Sequence, residues 1–193
     1  MAFDNELVLS FSAKLISDYK DDGNRDFLLQ YYMQDQTMTI FEEKKKMNGF
    51  KGGRFLNKMK VINPQTGKNY TDSSLAVGNI LQISGRTFEL EDAPEYTLCL
   101  MESNPKRFLQ SDMQYSIELL AAYADKHNID LNAVFEEKDV VKSSVVSPKE
   151  AEEILFSFSP DFPKQCAITI LRRLTYDDSF DYLELVKCVN FKA

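Results

Sequence analysis

Residues 27–42 read FLLQYYMQDQTMTIFE and decide the fold of the first half of the chain. In the first part of this stretch, apolar side chains occupy every second position, as they do along a strand that is buried on one face. These side chains are Phe27, Leu29, Tyr31 and Met33. Asp35-Gln36 then supplies turn residues ahead of a second strand over Thr37–Glu42. We therefore predict an antiparallel β-hairpin.

The segments around this hairpin carry further strand patterns. The candidates are Leu9–Leu15, Arg54–Val61, Gly78–Ile83 and Arg86–Glu91. Ser84-Gly85 is a tight-turn signal between the last two, and Pro94 opens a helix that runs through Met101. About six or seven short strands followed by one helix predict a small antiparallel β-barrel capped by that helix, because closing a sheet removes its exposed edges.

The second half of the chain, from about Asn104, has the periodicity of helices. Asp112–Lys126 repeats apolar residues at intervals of three and four, and prolines stand at or between the later helix starts. The later candidates are Leu131–Lys138, Lys149–Phe158, Lys164–Leu174 and Tyr182–Val189. We predict an α+β protein with a β-barrel domain over residues 1–103 and an all-α domain over residues 104–193.

Composition narrows the classes of partner. The 193 residues include 23 Lys plus Arg and 30 Asp plus Glu, for a net charge of −7, which is unsuited to general nucleic-acid or anionic-membrane binding. The three cysteines are too widely spaced for a disulfide framework or a metal-ligand pair, which favours a reducing compartment. We see neither a signal-peptide pattern nor an apolar run of about 18 residues. We expect no nucleic acid and no membrane as partners.

Two twelve-residue segments of the second half share the outline of a calcium-binding EF-hand loop. They run from Asp139 to Glu150 and from Arg173 to Glu184, each with an apolar residue at position eight and Glu at position twelve. Oxygen ligands are missing elsewhere, since Val141 is third in the first segment and Arg173 is first in the second. We predict a degenerate, metal-free EF-hand-like helix pair. A calcium sensor and a chance match of two ordinary loops are the alternatives.

A basic stretch interrupts the acidic chain at Lys44–Lys60. It holds seven positive residues and no acidic residue: Lys44, Lys45, Lys46, Lys51, Arg54, Lys58 and Lys60. These residues, together with Tyr32 if its ring faces outward, are candidate contacts for an acidic protein surface or a phosphoinositide head group. A solvated loop and strand rim is an equally weighted alternative.

The sequence contains no convergent catalytic set. Gln65-Thr66-Gly67-Lys68 lacks the first glycine and the hydroxyl residue of a phosphate-binding loop. His127 is the single histidine, which is too few for a zinc site beside scattered cysteines. We predict a binding or structural protein that has no catalytic residue, no cofactor and no small-molecule substrate.

Several motifs follow one another between residues 7 and 103. The first is the run FLLQYYMQDQTMTIFE, and the last is Asp92-Ala93-Pro94-Glu95-Tyr96-Thr97. In this order the motifs resemble the DM-ten domain family of ciliary EF-hand domain-containing proteins, which includes myoclonin and the protofilament-ribbon proteins. Met47 and Pro94 depart from the family pattern. The residues that carry the resemblance are Tyr31, Asp35, Asn48, Gly49, Gly52, Gly53, Phe55, Gly78, Gly85, Phe88 and Tyr96.

The resemblance implies a small β-barrel similar to pleckstrin-homology domains, with Phe55, Phe88 and Tyr96 as packing residues. It also implies a non-enzymatic microtubule inner protein of ciliary and flagellar doublet microtubules. The implied partners are α/β-tubulin and other microtubule inner proteins, and the implied location is the cytoskeleton of the axoneme, in the doublet lumen. A calcium- or phosphoinositide-responsive adaptor module is the alternative function.

Overall fold

The computed structural model describes residues 7–44 and 52–191. The chain divides into two units, Met1–Ser103 and Asn104–Ala193. The first unit consists of an antiparallel sheet and one α-helix, and the second consists of helices and a small sheet. The chain therefore belongs to the α+β class, as predicted.

The first unit is built on six antiparallel strands in the order β4-β3-β2-β1-β6-β5. The strands are β1 Val8–Ile16, β2 Phe27–Tyr32, β3 Thr37–Glu42, β4 Gly53–Met59, β5 Ile80–Ile83 and β6 Arg86–Asp92. Both predicted hairpins are confirmed, since Tyr32 pairs with Thr37 and Ile83 pairs with Arg86. The alternation along 27–33 works as expected, because Phe27, Leu29, Tyr31 and Met33 are buried while the residues between them are half-exposed.

Three phenylalanines show that the sheet is strongly curled. Phe27 on β2, Phe55 on β4 and Phe88 on β6 form a triangle of edge-to-face rings whose centroids lie 5.2–5.5 Å apart. In a flat sheet β4 and β6 would be about 19 Å apart, because four strand spacings separate them. The rings therefore fill the concave side of a half-barrel.

The predicted closure of this barrel is wrong. In the part of the chain that the structure describes, β4 and β5 are the two ends of the sheet and no ladder joins them. Closure fails because β5 is only four residues long and the chain between β4 and β5 runs as loop and turn, with a single bridge between Ile62 and Asn69.

Tyr70, on this connecting loop, covers the edge of β5. Its hydroxyl accepts a hydrogen bond from the Gln82 backbone N–H at 3.0 Å and donates to the Gln82 carbonyl at 3.4 Å. Tyr31, deep in the half-barrel, donates from its own hydroxyl to the Tyr70 carbonyl at 3.4 Å. The loop thus bonds to the edge of β5 through a side chain and to the interior of the half-barrel through a carbonyl.

A buried ionic group lies where β1 turns into β2. The Arg25 guanidinium donates to Glu42 on β3 at 2.7 Å and to Asp22, in a short 3-10 turn, at 2.8 Å. Its plane lies over the Phe27 ring, with Cζ 5.1 Å from the ring centroid. Arg25 and Asp22 are both more than 90% buried, so their charges are compensated by polar partners inside the protein and only slightly by water.

The helix predicted after Pro94 is present as α1, Glu95–Glu102. Its Thr97 hydroxyl accepts a hydrogen bond from the Ser10 backbone N–H on β1 at 3.0 Å. Thr97, Leu98 and Met101 are buried, which fixes α1 against β1 by one side. The expectation of a helix that packs on the sheet is therefore correct.

Over residues 104–191, the second unit contains five α-helices and three very short strands. They are α2 Met113–His127, α3 Leu131–Glu136, β7 Val145–Val146, α4 Pro148–Ser157, α5 Lys164–Leu174, β8 Thr175–Tyr176, β9 Ser179–Asp181 and α6 Tyr182–Asn190. The all-α prediction is wrong, because β7, β9 and β8 form a three-stranded antiparallel sheet. The helices themselves lie within a few residues of the predicted ranges.

Short polar side chains start four of these five helices. Each accepts a hydrogen bond from a backbone N–H of the first turn, which that turn cannot satisfy internally. The capping residues are Asp112, Asp130, Ser147 and Asp181. At α4 the cap is reciprocal, since the Glu150 carboxylate accepts a hydrogen bond from the Ser147 backbone N–H, and Pro148 occupies the first helical position.

Candidate functional site

The convex face of the half-barrel carries half-buried aromatic side chains on β2 and β3. Tyr31 points inward and is fully buried, so alternation turns Tyr32 outward. On β3, Phe41 pairs across the strands with Leu28, and both are partly exposed. This face is therefore apolar enough to bind other groups, although it remains in contact with solvent.

Two cations of β4 lie above these rings. Arg54 is directly opposite Phe41 in the β3–β4 ladder, and its Cζ lies 5.4 Å from the Phe41 ring centroid. Lys58 Nζ lies 3.7 Å from the ring centroid of Tyr32. Two bulges interrupt the ladder beyond Arg54, since Ile40, adjacent to Phe41, pairs with Leu56, and a second shift follows toward Met59.

We call Tyr32, Phe41, Arg54 and Lys58 the basic–aromatic face. Its two cations are held by their rings through cation–π attraction. Lys58 Nζ also lies 3.1 Å from Asp35 Oδ2 in the β2–β3 turn. Asp35 in turn accepts from the Thr37 hydroxyl, and this hydrogen bond, more than the ion pair with Lys58, lowers the pKa of Asp35. Aromatic rings combined with Arg are typical of protein interfaces.

The predicted contact residues separate into three groups. Tyr32, Arg54 and Lys58 come together on the basic–aromatic face. Lys44 and Lys60 are exposed at the ends of β3 and β4. Lys45, Lys46 and Lys51 lie outside the described residues. Sequence reasoning missed Phe41, whose aromatic character gives a signal only once the β3–β4 register is known.

The glycines of the motif lie in turns or at positions of positive φ, and one of them lies close to a neighbouring backbone segment. Gly52 has a φ of +64°, and a Cβ there would lie 2.9 Å from the Lys44 backbone, so a larger residue would be strained and would clash. Gly85 completes the β5–β6 turn, where Ser84 and Gly85 both have positive φ. Gly53 and Gly78 also have positive φ. Asn48 and Gly49 lie outside the described residues.

The aromatic motif residues differ in their burial. Phe88 is fully buried and Phe55 is half-buried in the phenylalanine triangle. Tyr96 was expected to pack between helix and sheet, but 59% of its surface is exposed. The reason is helical geometry, since α1 faces the sheet with Thr97, Leu98 and Met101 and turns Tyr96 away.

In the second unit, Asp139 occupies the first position of the predicted twelve-residue loop. Both of its carboxylate oxygens are engaged by the protein. One accepts from the Ser143 backbone N–H at 3.0 Å and from its hydroxyl at 3.2 Å. The other accepts from the Ser144 N–H at 2.7 Å and from the Tyr182 hydroxyl at 3.0 Å. The carboxylate thus organises the loop by itself.

These contacts shift two pKa values in opposite directions. Burial raises the pKa of Asp139, but the hydrogen bonds outweigh it, and the net pKa lies below its ordinary value. Burial first, and the hydrogen bond to Asp139 second, raise the pKa of Tyr182 to about 12. Sequence reasoning missed Tyr182, Ser143 and Ser144, because nothing local in the sequence links position 182 to position 139.

The twelfth positions also serve local structure. Glu150 closes the α4 capping box, and the hydrogen bond from the Ser147 hydroxyl lowers its pKa. Glu184 is one turn into α6, where its backbone N–H donates to the capping Asp181. The eighth positions of the two loops, Val146 and Phe180, pair with each other between β7 and β9.

Replacing Asp139 with Asn is expected to lower the melting temperature at pH 7 by at least about 5 °C. The substitution exchanges one accepting oxygen for an NH₂ group, which would face N–H and O–H groups that also donate. The folded-state pKa of Asp139 is lowered, so its contribution is complete above pH 4 and is lost as pH falls through that pKa. The difference in melting temperature between wild type and the Asp139→Asn variant should therefore be smaller at pH 3 than at pH 7. Asp178→Asn, on an exposed turn, is the control, and an equal effect of both changes would contradict this account.

Within residues 7–44 and 52–191, no group of three or more His, Cys, Asp or Glu side chains is placed to hold a metal ion. No helix of that part of the chain has the length and apolar character needed to cross a membrane.

Comparison with known proteins identifies the first unit. The model of the DM10 domain matches residues 1–97, which include all six strands and the start of α1. This chain belongs to the DM10 domain family. The predicted resemblance is thereby confirmed, and the half-barrel with its phenylalanine triangle and basic–aromatic face is the form that the DM10 domain takes here.

Relatives of this DM10 domain chain are EF-hand domain-containing proteins. EF-hand domain-containing family member C2 of Bos taurus is 31% identical over 174 residues, which cover 86% of this chain and 24% of the relative. EF-hand domain-containing protein 1 of Homo sapiens is 31% identical over 126 residues, 63% of this chain and 19% of the relative. The chain thus spans about a quarter or less of these relatives. Neither name denotes an enzyme.

Proposed function

We propose that this chain is a non-enzymatic structural protein of the axoneme in cilia and flagella. In this proposal it lies in the lumen of doublet microtubules, binds α/β-tubulin and neighbouring microtubule inner proteins, and stabilises the lattice. The observation that carries the proposal is a DM10 domain with cations fixed over aromatic rings on its convex face.

The basic–aromatic face suits an acidic protein surface for two reasons. Arg54 and Lys58 are positioned by the rings beneath them, so little side-chain freedom is lost when a partner binds. Their positive charge also stands out from a chain whose net charge is −7, which orients the chain toward a negative partner. Contacts repeated along a polymer add up, so each one need not be strong.

We also infer that the second unit is a degenerate EF-hand-like pair. The support is the pairing of Val146 with Phe180, which joins the eighth positions of the two twelve-residue loops. Phe135 stacks on Tyr182 with a centroid distance of 5.5 Å, so the helices that flank the loops share one core. With Asp139 engaged by Ser143, Ser144 and Tyr182, the loop is organised without a cation.

The alternative is an adaptor that responds to calcium or phosphoinositide. Calcium would have to displace four hydrogen bonds from Asp139, and in the second loop the first ligand position is occupied by the cationic Arg173. A phosphoinositide head group would draw on the same cations as an acidic protein surface. A binding heat measured by calorimetry with calcium, or flotation of the chain with phosphoinositide liposomes, would favour this alternative.

The decisive test is co-sedimentation of the full chain with salt-washed doublet microtubules. We expect the wild type to pellet and the double variant Arg54→Glu/Lys58→Glu to bind about tenfold more weakly, because two attractive charges become repulsive. The control is Lys20→Glu/Lys68→Glu, which makes the same charge change at exposed positions away from the rings and should bind within about twofold of wild type. A wild-type chain that stays in the supernatant would contradict the proposal.

A further inference from the structure

We propose that the outer edge of β4 binds an extended acidic segment of a partner protein as a seventh strand of the sheet. The inference rests on the proposed function, because it specifies how a partner would meet the basic–aromatic face. It goes beyond that function by naming the form of the bound segment, its charge and the backbone that receives it.

The two ends of the sheet are chemically different. β5 has its edge groups at Gln82 engaged by the Tyr70 hydroxyl, so a strand approaching there would have to displace a buried side chain. β4 is the other end, and in the described part of the chain its strand partner is β3 alone. An edge strand presents backbone N–H and C=O groups to which an extended peptide can add.

The charges beside this edge select the peptide. Residues 53–60 contain Arg54, Lys58 and Lys60 and no acidic residue. A second copy of β4 would bring the same cations opposite these, and like charges directly across a strand pair are unfavourable. An acidic strand would instead place carboxylates opposite them. The edge thus discourages self-association and admits a partner of the opposite charge.

The spacing of the cations favours an extended chain over a compact head group. Arg54 and Lys58 are four residues apart, and each lies over a different ring, Phe41 or Tyr32. The bulges of β4 lie in this stretch, so the separation is at most the regular strand value of about 13 Å. Carboxylates at every second position of an extended peptide recur at about 7 Å, so two such steps span it. A single phosphorylated ring instead needs cations that converge on one point.

The probe is a fluorescein-labelled peptide of five Glu-Val repeats, titrated with the full chain and followed by anisotropy. We expect saturable binding that weakens at least tenfold in Arg54→Glu/Lys58→Glu and less than twofold in Lys20→Glu/Lys68→Glu. A peptide of the same sequence, N-methylated at every amide, keeps the charge but cannot donate backbone hydrogen bonds, and it should bind at least tenfold more weakly. A Lys-Val peptide should not bind.

Amide hydrogen exchange separates strand addition from charge attraction. The peptide should slow exchange within Gly53–Met59 and leave β5 unchanged. Equal binding of the N-methylated peptide, protection absent from β4, flotation with phosphoinositide vesicles in place of peptide binding, or no binding would each overturn the inference. If peptide binding fails while the chain still pellets with doublet microtubules, the strand-addition inference fails alone. If pelleting fails as well, the proposed function fails too.

Discussion

Phe27→Ala is expected to lower the free energy of unfolding by about 3–5 kcal/mol, the largest effect we predict for a single apolar residue of this chain. The ring is 1% exposed and makes edge-to-face contacts with both Phe55 and Phe88. Removing it leaves a cavity at the point where β2, β4 and β6 are brought together. Denaturant titration followed by circular dichroism measures the change.

Tyr96→Ala is the matched control for this prediction. It also removes an aromatic ring from the first unit, but most of that ring is in water, so the change should be less than about 0.5 kcal/mol. If Phe27→Ala were as mild as the control, the ring triangle would not be what maintains the curl of the sheet.

Arg25→Met is expected to lower the free energy of unfolding by about 2–4 kcal/mol. The substitution keeps most of the aliphatic volume, but Asp22 and Glu42 each lose a short hydrogen bond from the guanidinium. Lys14→Met removes a half-buried cation 3.7 Å from Asp26 and should cost less than about 0.5 kcal/mol. Denaturant titration of both variants at pH 7 measures the difference.

The effect of Arg25→Met should depend on pH. The hydrogen bond from Arg25 is the main cause of the lowered pKa of Asp22. A lowered folded-state pKa means that the pairing stabilises the fold fully above the ordinary value and that this contribution is lost as pH falls through the lowered one. Stability of wild type and variant should therefore converge below about pH 4. A difference that stays constant down to pH 3 would show that packing, and not charge, explains the loss.

Much of the first unit follows from short-range patterns. The alternation in 27–33 and the turn residues at Asp35-Gln36 and Ser84-Gly85 predict the two hairpins, because a strand with one buried face must alternate. The curl of the sheet cannot be predicted from such patterns, because it depends on rings from β2, β4 and β6 that are far apart in sequence. The open edge was also missed, because strand lengths and loop paths decide closure.

In the candidate site, too, single residues can be predicted from local patterns, whereas the contacts between them cannot. Arg54, Lys58 and Tyr32 could be named from charge and alternation, but which ring each cation meets depends on the β3–β4 register, which no local pattern marks. In the second unit, the loop spacing allowed Asp139 to be singled out. Its partner Tyr182 is 43 positions away, and a hydrogen bond over that separation is fixed only by the packing of α6.

The Tyr70 hydroxyl at Gln82 has a consequence for stoichiometry. Fibrous growth through sheets requires two receptive ends, one to join the previous subunit and one to receive the next. Among the described residues, one end of the sheet has its Gln82 backbone groups bonded by a phenol and the other is lined by cations, so the strand addition proposed above has β4 as its receptive end. Any assembly formed through this sheet would stop at one added strand per chain, as a terminated pair and not a growing fibre.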